Sequence, residues 1–248
     1  MSRAIIITGA SRGIGAATAR RAARHGYRVC VNYRSRKKQA EQVVADIEAD
    51  GGEAIAVPAD VSTDADVARL FEACDRSFGR LSALVNNAGI LESQTRLESI
   101  DGDRLQRVFA TNVFGAFACA REAVRRMSTR LGGSGGAIVN VSSMAARLGG
   151  PREYIDYAAS KGAIDTMTIG LANEVAEEGI RVNAVRPGLI YTDIHASGGE
   201  PGRVDRVKAS VPMKRGGSPD EVAAAIMWLL SDDAAYTTGT FVDVSGGR

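Results

Sequence analysis

The chain is poor in cysteine and histidine. Its three cysteines, Cys30, Cys74 and Cys119, lie far apart in the sequence and are odd in number. None sits in a CxxC or His-paired spacing, so neither a disulfide framework nor a metal site is expected, and a reducing cytoplasm suits the composition. Long apolar runs are missing too. Nothing approaches the ~18 residues of a membrane span. The opening "MSRAIIITGASRGIG" turns glycine-rich before the h-region of a signal peptide is complete. There is little charge of one sign: the net value is +2, which implies no strong pull toward nucleic acid or a membrane surface. What is present is ordinary. Of 248 residues, 45% are hydrophobic and 24% charged, enough to bury a large core without staples.

Short apolar runs alternate with longer segments of helical period. The strand candidates are residues 4–8, 28–33, 53–59, 83–87, 137–143, 180–187 and 240–246. They are nearly continuous apolar runs, as in parallel strands covered on both faces. Helical segments are expected at 13–25, 38–50, 64–78, 101–130, 155–178 and 218–230. This rhythm gives the fold class: α/β, a doubly wound parallel sheet of about seven strands with helices on both faces. No boundary divides 1–248, so a single domain is expected. "GGSGG" (132–136) reads as a helix-to-strand turn, and "RSRKK" (34–38) as a solvated helix entrance. The stretch 188–217 has no clear element. Its 189–215 portion is expected to be a substrate loop or lid.

The turn "TGASRGIG" (Thr8 to Gly15) ends the first strand and opens the first helix. Gly9 permits a tight turn, Gly13 lets backbone approach a pyrophosphate, and Gly15 allows close helix–strand packing. The helix N-terminus then offers free N–H groups to phosphate. A glycine turn alone is weak evidence; the strand–turn–helix context strengthens it. The spacing Gly-x-x-x-Gly-x-Gly, with threonine before it, resembles the classical short-chain dehydrogenase/reductase family. The 3-oxoacyl carrier-protein reductase-like and glucose dehydrogenase-like members are the nearest in kind. The resemblance implies a Rossmann-type fold and a cofactor turn of Gly9, Ser11, Arg12, Gly13, Ile14 and Gly15.

An NAD site of this design usually has an acid at the end of the second strand for the ribose hydroxyl. Here Asn32, Tyr33 and Arg34 hold that place. With Arg12 in the turn, two guanidiniums are available for a 2′-phosphate. NADP(H) is therefore expected as the cofactor, with NAD-linked alcohol or sugar oxidation as the alternative. By resemblance, Asp60 and Val61 lie at the adenine, and "NNAG" supplies Asn87, Ala88 and Gly89 beside the adenosine ribose.

"EYIDYAASKGA" (153–163) carries the chemistry. Tyr157 and Lys161 are four apart and share a helix face; Tyr154 has Ala158 in the matching place. Tyr157 is thus the catalyst candidate and Tyr154 a rim or packing residue. A tyrosine near pKa 10 is about three units from neutrality, or roughly 4 kcal/mol. A nearby ammonium and an oxidised nicotinamide are expected to lower it. "YAASK" is similar to the family's Tyr-x-x-x-Lys motif. The resemblance makes Tyr157 the general acid/base, Lys161 the residue that lowers its pKa and holds the nicotinamide ribose, Ser143 the substrate-orienting hydroxyl and Asn112 the support of a proton relay; Tyr157 and Lys161 also count among the cofactor-binding residues. Ser142 stays open as an alternative to Ser143. "RPGLIYTDI" supplies Pro187 and Gly188, which stop the sixth strand; by resemblance, the Ile190 backbone and the Thr192 hydroxyl contact the nicotinamide amide and the phosphates.

The implied activity is interconversion of a small carbonyl compound and its alcohol. Polar loops at 91–98, 144–154 and 189–213 favour a sugar or 3-oxoacyl thioester over a steroid. His195 is read as a rim residue, with contact to the substrate as the alternative, and His25 as a C-terminal helix residue. The resemblance also implies a homotetramer using helices 101–130 and 155–178. A non-catalytic dinucleotide sensor is the reading from another class.

Overall fold

The computed structural model describes residues 3–248. Residues 1 and 2, which the sequence places in the same domain, lie outside the described residues. The chain begins with β1 (Arg3–Ile7), α1 (Gly13–Arg24), β2 (Tyr27–Tyr33), α2 (Lys37–Ala49), β3 (Ala54–Pro58), α3 (Asp64–Phe78) and β4 (Leu81–Asn86). It continues through α4 (Gly102–Phe109), α5 (Gly115–Met127), β5 (Gly136–Val141), α6 (Ala145–Leu148), α7 (Ile155–Val175) and β6 (Ile180–Pro187). It closes with α8 (Ile194–Ser197), α9 (Arg203–Val207), α10 (Pro219–Leu230) and β7 (Phe241–Val244).

The seven strands form one sheet in the order β3-β2-β1-β4-β5-β6-β7. Every neighbouring pair is parallel. Successive side chains of a strand point to opposite faces, and both faces are covered. Ile5 and Ile7 join residues of α1, α2 and α10 in one core cluster. Ala4 and Ile6 join α3, α5 and α7 in the other. That is why the strands read as unbroken apolar runs. Cys30, Cys74 and Cys119 are all buried free thiols. Among the described residues no helix is long and apolar enough to cross a membrane.

Local signals mark several element ends. Ser218 caps α10 and Glu221 returns the bond to the Ser218 backbone, with Pro219 at the first helical position. His25 follows α1 and places Nδ1 2.8 Å from the Arg21 carbonyl. Gly132, at φ 87°, ends the short turn before β5.

One expectation is refined and one corrected. The helix expected over 101–130 continues from α4 into α5 through a π-turn at Ala110–Phe114, which carries Asn112. A Cβ at Gly115 would sit 2.9 Å from the Val61 carbonyl, so glycine lets the chain run against the β3–α3 loop there. The 188–217 stretch is not free of structure, since α8 and α9 lie within it.

A buried ion pair fixes the entrance of α7. Arg104 of α4 donates through Nε to Asp156 Oδ2 (2.7 Å) and through Nη2 to Oδ1 (3.1 Å). Its Nη1 donates to the Ser93 carbonyl at 2.6 Å. The two side chains are 8% and 1% exposed. Asp156→Ala would strand the guanidinium in the interior, which costs about 3–5 kcal/mol. Urea unfolding should show that loss; an unchanged midpoint would mean that the pair contributes nothing net.

Candidate active site

Because every strand is parallel, the carboxyl ends of β1 to β6 open on one edge of the sheet, where such folds bind ligands. The glycine turn is stitched to the neighbouring strand ends. Thr8 Oγ1 accepts from the backbone N–H groups of Asn87 and Ala88, both at 3.0 Å. Asn87 Nδ2 donates to the carbonyls of Thr8 (2.8 Å) and Gly9 (3.1 Å). Gly9 N–H donates to Asn32 Oδ1 at 3.1 Å. This closeness requires glycine. A Cβ at Gly15 would lie 2.6 Å from Asn87 Nδ2 and 2.7 Å from the Gly9 carbonyl. Gly13, at φ 56°, adopts the left-handed backbone that favours glycine.

Along this edge runs a cleft of about 360 Å³. All the sequence-assigned site residues line it except Gly15 and Asn112. Gly15 stands behind the turn as packing. Asn112 is 1% exposed in the π-turn. Its Oδ1 accepts from the Ile90 N–H (2.8 Å), and its Nδ2 donates to the Ile90 carbonyl (3.1 Å) and to Ser160 Oγ (3.0 Å). A Cβ on Gly89 would come within 3.4 Å of Asn112 Oδ1 and 3.6 Å of Lys161 Nζ, so the three meet at one point.

The two serines separate cleanly. Ser142 Oγ donates to Asp165 Oδ1 at 2.6 Å and is buried. Ser143 lines the cleft beside Tyr157, and its Oγ accepts from the Ala145 N–H at 3.1 Å. Lys161 is 4% exposed and donates from Nζ to the Val141 carbonyl at 2.7 Å. Its Nζ stands 5.6 Å from the centre of the Tyr157 ring. Tyr154 packs edge-on against Tyr157, ring centres 5.8 Å apart.

A family profile described as enoyl-(acyl carrier protein) reductase matches residues 9–248. An uncharacterized oxidoreductase of Escherichia coli, YgfF, is 58% identical over 98% of both chains. The 3beta-hydroxysteroid dehydrogenase 1 of Eggerthella lenta is 42% identical over 99% of this chain and 93% of its own. A short-chain dehydrogenase from Burkholderia cenocepacia, solved in complex with NADP, superposes with a TM-score of 0.91. It is 32% identical over 100% of this chain and 98% of its own.

The chain belongs to the short-chain dehydrogenase/reductase family of oxidoreductases.

The electrostatics of this short-chain dehydrogenase/reductase differ from expectation at Tyr157. Burial pushes its pKa up to about 12, and the Ser143 hydrogen bond opposes that only in part. The protein's own groups therefore keep the phenol protonated near neutral pH. Lys161 moves the other way: burial lowers it to about 8, against the pull of the Asp165 carboxylate. Both shifts have one cause, the cost of charge in a desolvated site.

Other residues correct the reading of the sequence. His195 is not at the rim; it is 9% exposed and its Nε2 lies 3.0 Å from the Ile190 carbonyl. Arg36 and Arg248 also line the cleft and were not foreseen. Arg36 sits in the basic run read as a solvated helix entrance. Arg248 had no motif around it to mark it. The two expected phosphate ligands each hold a carboxylate at the surface: Arg12 pairs with Asp193 at 3.3 Å and Arg34 with Asp60 at 3.7 Å.

The Lys161 shift has a sign that can be measured. The unfolded chain keeps this proton to about pH 10.4, whereas the folded chain releases it near 8. Between those values the unfolded state binds more protons, so this group makes stability rise with pH. At ~1.4 kcal/mol per unit, the parent should gain about 2 kcal/mol on a Lys161→Met variant between pH 8 and 9.5. Urea midpoints of both proteins read this directly. A pH-independent difference would show that the ammonium is well solvated.

Proposed function

We propose that this oxidoreductase is NADP(H)-dependent and interconverts a carbonyl compound and a secondary alcohol, with Tyr157 as general acid/base. The observation that carries this is the meeting of Ser143, Tyr157 and Lys161 at the sheet edge, in the same cleft as the glycine turn. Residues 1–248 would act as one domain, with 189–215 as the substrate segment and the cytoplasm as the working compartment.

The residues fit a dinucleotide. The open side of the turn at Gly13 and the N-terminus of α1 suit a pyrophosphate. Gly9, Ser11, Arg12 and Ile14 would line that part. Tyr33, Arg34, Asp60 and Val61 would hold the adenosine end. Asn87 to Gly89, Pro187, Gly188, Ile190 and Thr192 would hold the rest. When bound, the nicotinamide supplies or accepts the hydride.

The chain's own groups manage the proton. In reduction, Ser143 orients the carbonyl oxygen and the protonated Tyr157 hydroxyl donates to it. The raised pKa suits that acid role. Lys161, near 8, can exchange its proton around neutral pH and so restore Tyr157, with Asn112 holding the strand end beside it. NADP(H) over NAD(H) rests on the missing acid after β2 and on Arg12 and Arg34. Exposed ion pairs contribute little, so a 2′-phosphate can displace Asp193 and Asp60 from those guanidiniums. The NADP named with the Burkholderia structure supports the same choice. Phe114 and Phe117, 63% and 50% exposed, and Ile169 at 49%, suit the α5 and α7 faces to a homotetramer.

Titration of the protein with NADPH and NADH, followed by nicotinamide fluorescence, tests the cofactor. NADPH should bind at least about tenfold tighter, and Arg34→Ala should narrow the gap. Equal affinities would sink the 2′-phosphate argument. Tyr157→Phe should lower kcat by about 10²–10⁴-fold and leave NADPH affinity near the parent value. Full activity in that variant would remove Tyr157 from the chemistry.

A further inference from the structure

Tyr157 and Lys161 begin a row on α7 whose third member the proton chemistry has not used. Residues four apart share a helix face, and one turn beyond Lys161 that place is held by Asp165. Its side chain is 14% exposed. It stands outside the lining of the cleft, behind the lysine.

Two groups hold this carboxylate. Ser142, at the end of β5, donates from Oγ to Asp165 Oδ1 at 2.6 Å, and the same Oγ is 3.3 Å from the Lys161 carbonyl. Arg186 of β6 reaches Oδ2 with Nε at 2.9 Å and Nη2 at 2.8 Å. One oxygen thus goes to the guanidinium, and the other stays on the side of the Lys161 turn. Arg186 is fixed in its turn. Its guanidinium carbon lies 3.8 Å from the centre of the Phe241 ring, and its Nη1 is 3.7 Å from Asp243 Oδ1. Asp243 on β7 accepts from Arg147 Nη1 of α6 at 3.0 Å. The signs alternate from Arg147 at the surface, through Asp243, Arg186 and Asp165, to Lys161.

The lysine needs such a neighbour. It is buried, and its Nζ donates to a neutral carbonyl, that of Val141. Tyr157 on its own helix is a protonated phenol near neutral pH. The Ser143 hydroxyl after β5 and the Asn112 amide of the π-turn carry no charge. Asp165 is the carboxylate that favours the charged form of Lys161 against burial.

We infer that Asp165 is a positioning residue for the proton transfer: anchored by Ser142 and Arg186, it seats the Lys161 turn of α7 on the end of β5 and holds the lysine in its ammonium form. The inference deepens the Tyr157–Lys161 reading proposed above and rests on it.

Titration of Lys161 itself tests it. The full chain is labelled with carbon-13 at lysine Cε, and the Lys161 signal is the one missing from Lys161→Met. NMR then follows that signal as the pH is raised. In the parent its midpoint should lie near 8. Asp165→Asn removes the charge and keeps the bonds, since the amide oxygen can face Arg186 and the amide N–H can face the Ser142 oxygen. Its midpoint should fall by about one unit. Asp165→Glu keeps the charge and should stay close to the parent. A merely structural role would let water in and raise the midpoint when the residue is changed. Should Asp165→Asn not fold, Asp165→Leu combined with Arg186→Met replaces the pair by apolar side chains, a change that proteins often tolerate. The midpoint should fall there too. An unmoved or raised midpoint in the variants without the carboxylate would overturn the inference, as would a fall in Asp165→Glu equal to that in Asp165→Asn. Those results would leave Tyr157 as the proton donor. That reading fails separately, on full activity of Tyr157→Phe.

Discussion

Parallel pairing is the constraint on which the rest depends. Seven strands that bury both faces must be joined by crossovers, and the helices of those crossovers supply the cover. Once the strands run one way, the chain leaves the sheet for each crossover at a single edge. The turn after β1, Arg34 after β2, Asp60 after β3, Asn87 after β4, Ser143 after β5 and Gly188 after β6 are distant in sequence. The sheet makes them neighbours around one cleft. No contact between any two of them is needed to bring them together.

Within that edge, desolvation is the physical effect that shapes the chemistry. It raises Tyr157 and lowers Lys161, so both groups are pushed toward their neutral forms. A phenol held protonated is a proton donor in waiting, and a lysine near 8 exchanges protons under mild conditions. The expected lowering of the phenol calls on an oxidised nicotinamide as well as the ammonium; the protein's own groups by themselves raise it. Lys161 donates to the Val141 carbonyl, and its Nζ stands 5.6 Å from the centre of the Tyr157 ring.

Local rules were legible wherever a residue's role follows from its immediate neighbours. Gly13 needs a positive φ, and Ser218 needs Glu221 three residues on. Tyr157 and Lys161 share a face because a helix repeats every ~3.6 residues. Sequence could not choose between Ser142 and Ser143, because both end the same strand. The choice turns on which face carries Asp165 and which carries Tyr157. His195 was misjudged for a similar reason. Glycines and mixed charge around it suggest an exposed loop, yet α8 and α9 fold back and bury it.

By itself the sequence determined the α/β class, the order of strands and helices, the glycine turn and the Tyr–Lys pair. Each of these is written in short-range pattern: apolar runs, helical period, turn glycines. Only the tertiary structure decided which serine faces Tyr157, that Asn112 is tied to Ile90 and Ser160, and that Arg203 closes on Glu153. Those facts come from segments separated by loops and whole elements, up to 50 residues apart, meeting through packing and tertiary hydrogen bonds, and no local periodicity encodes them.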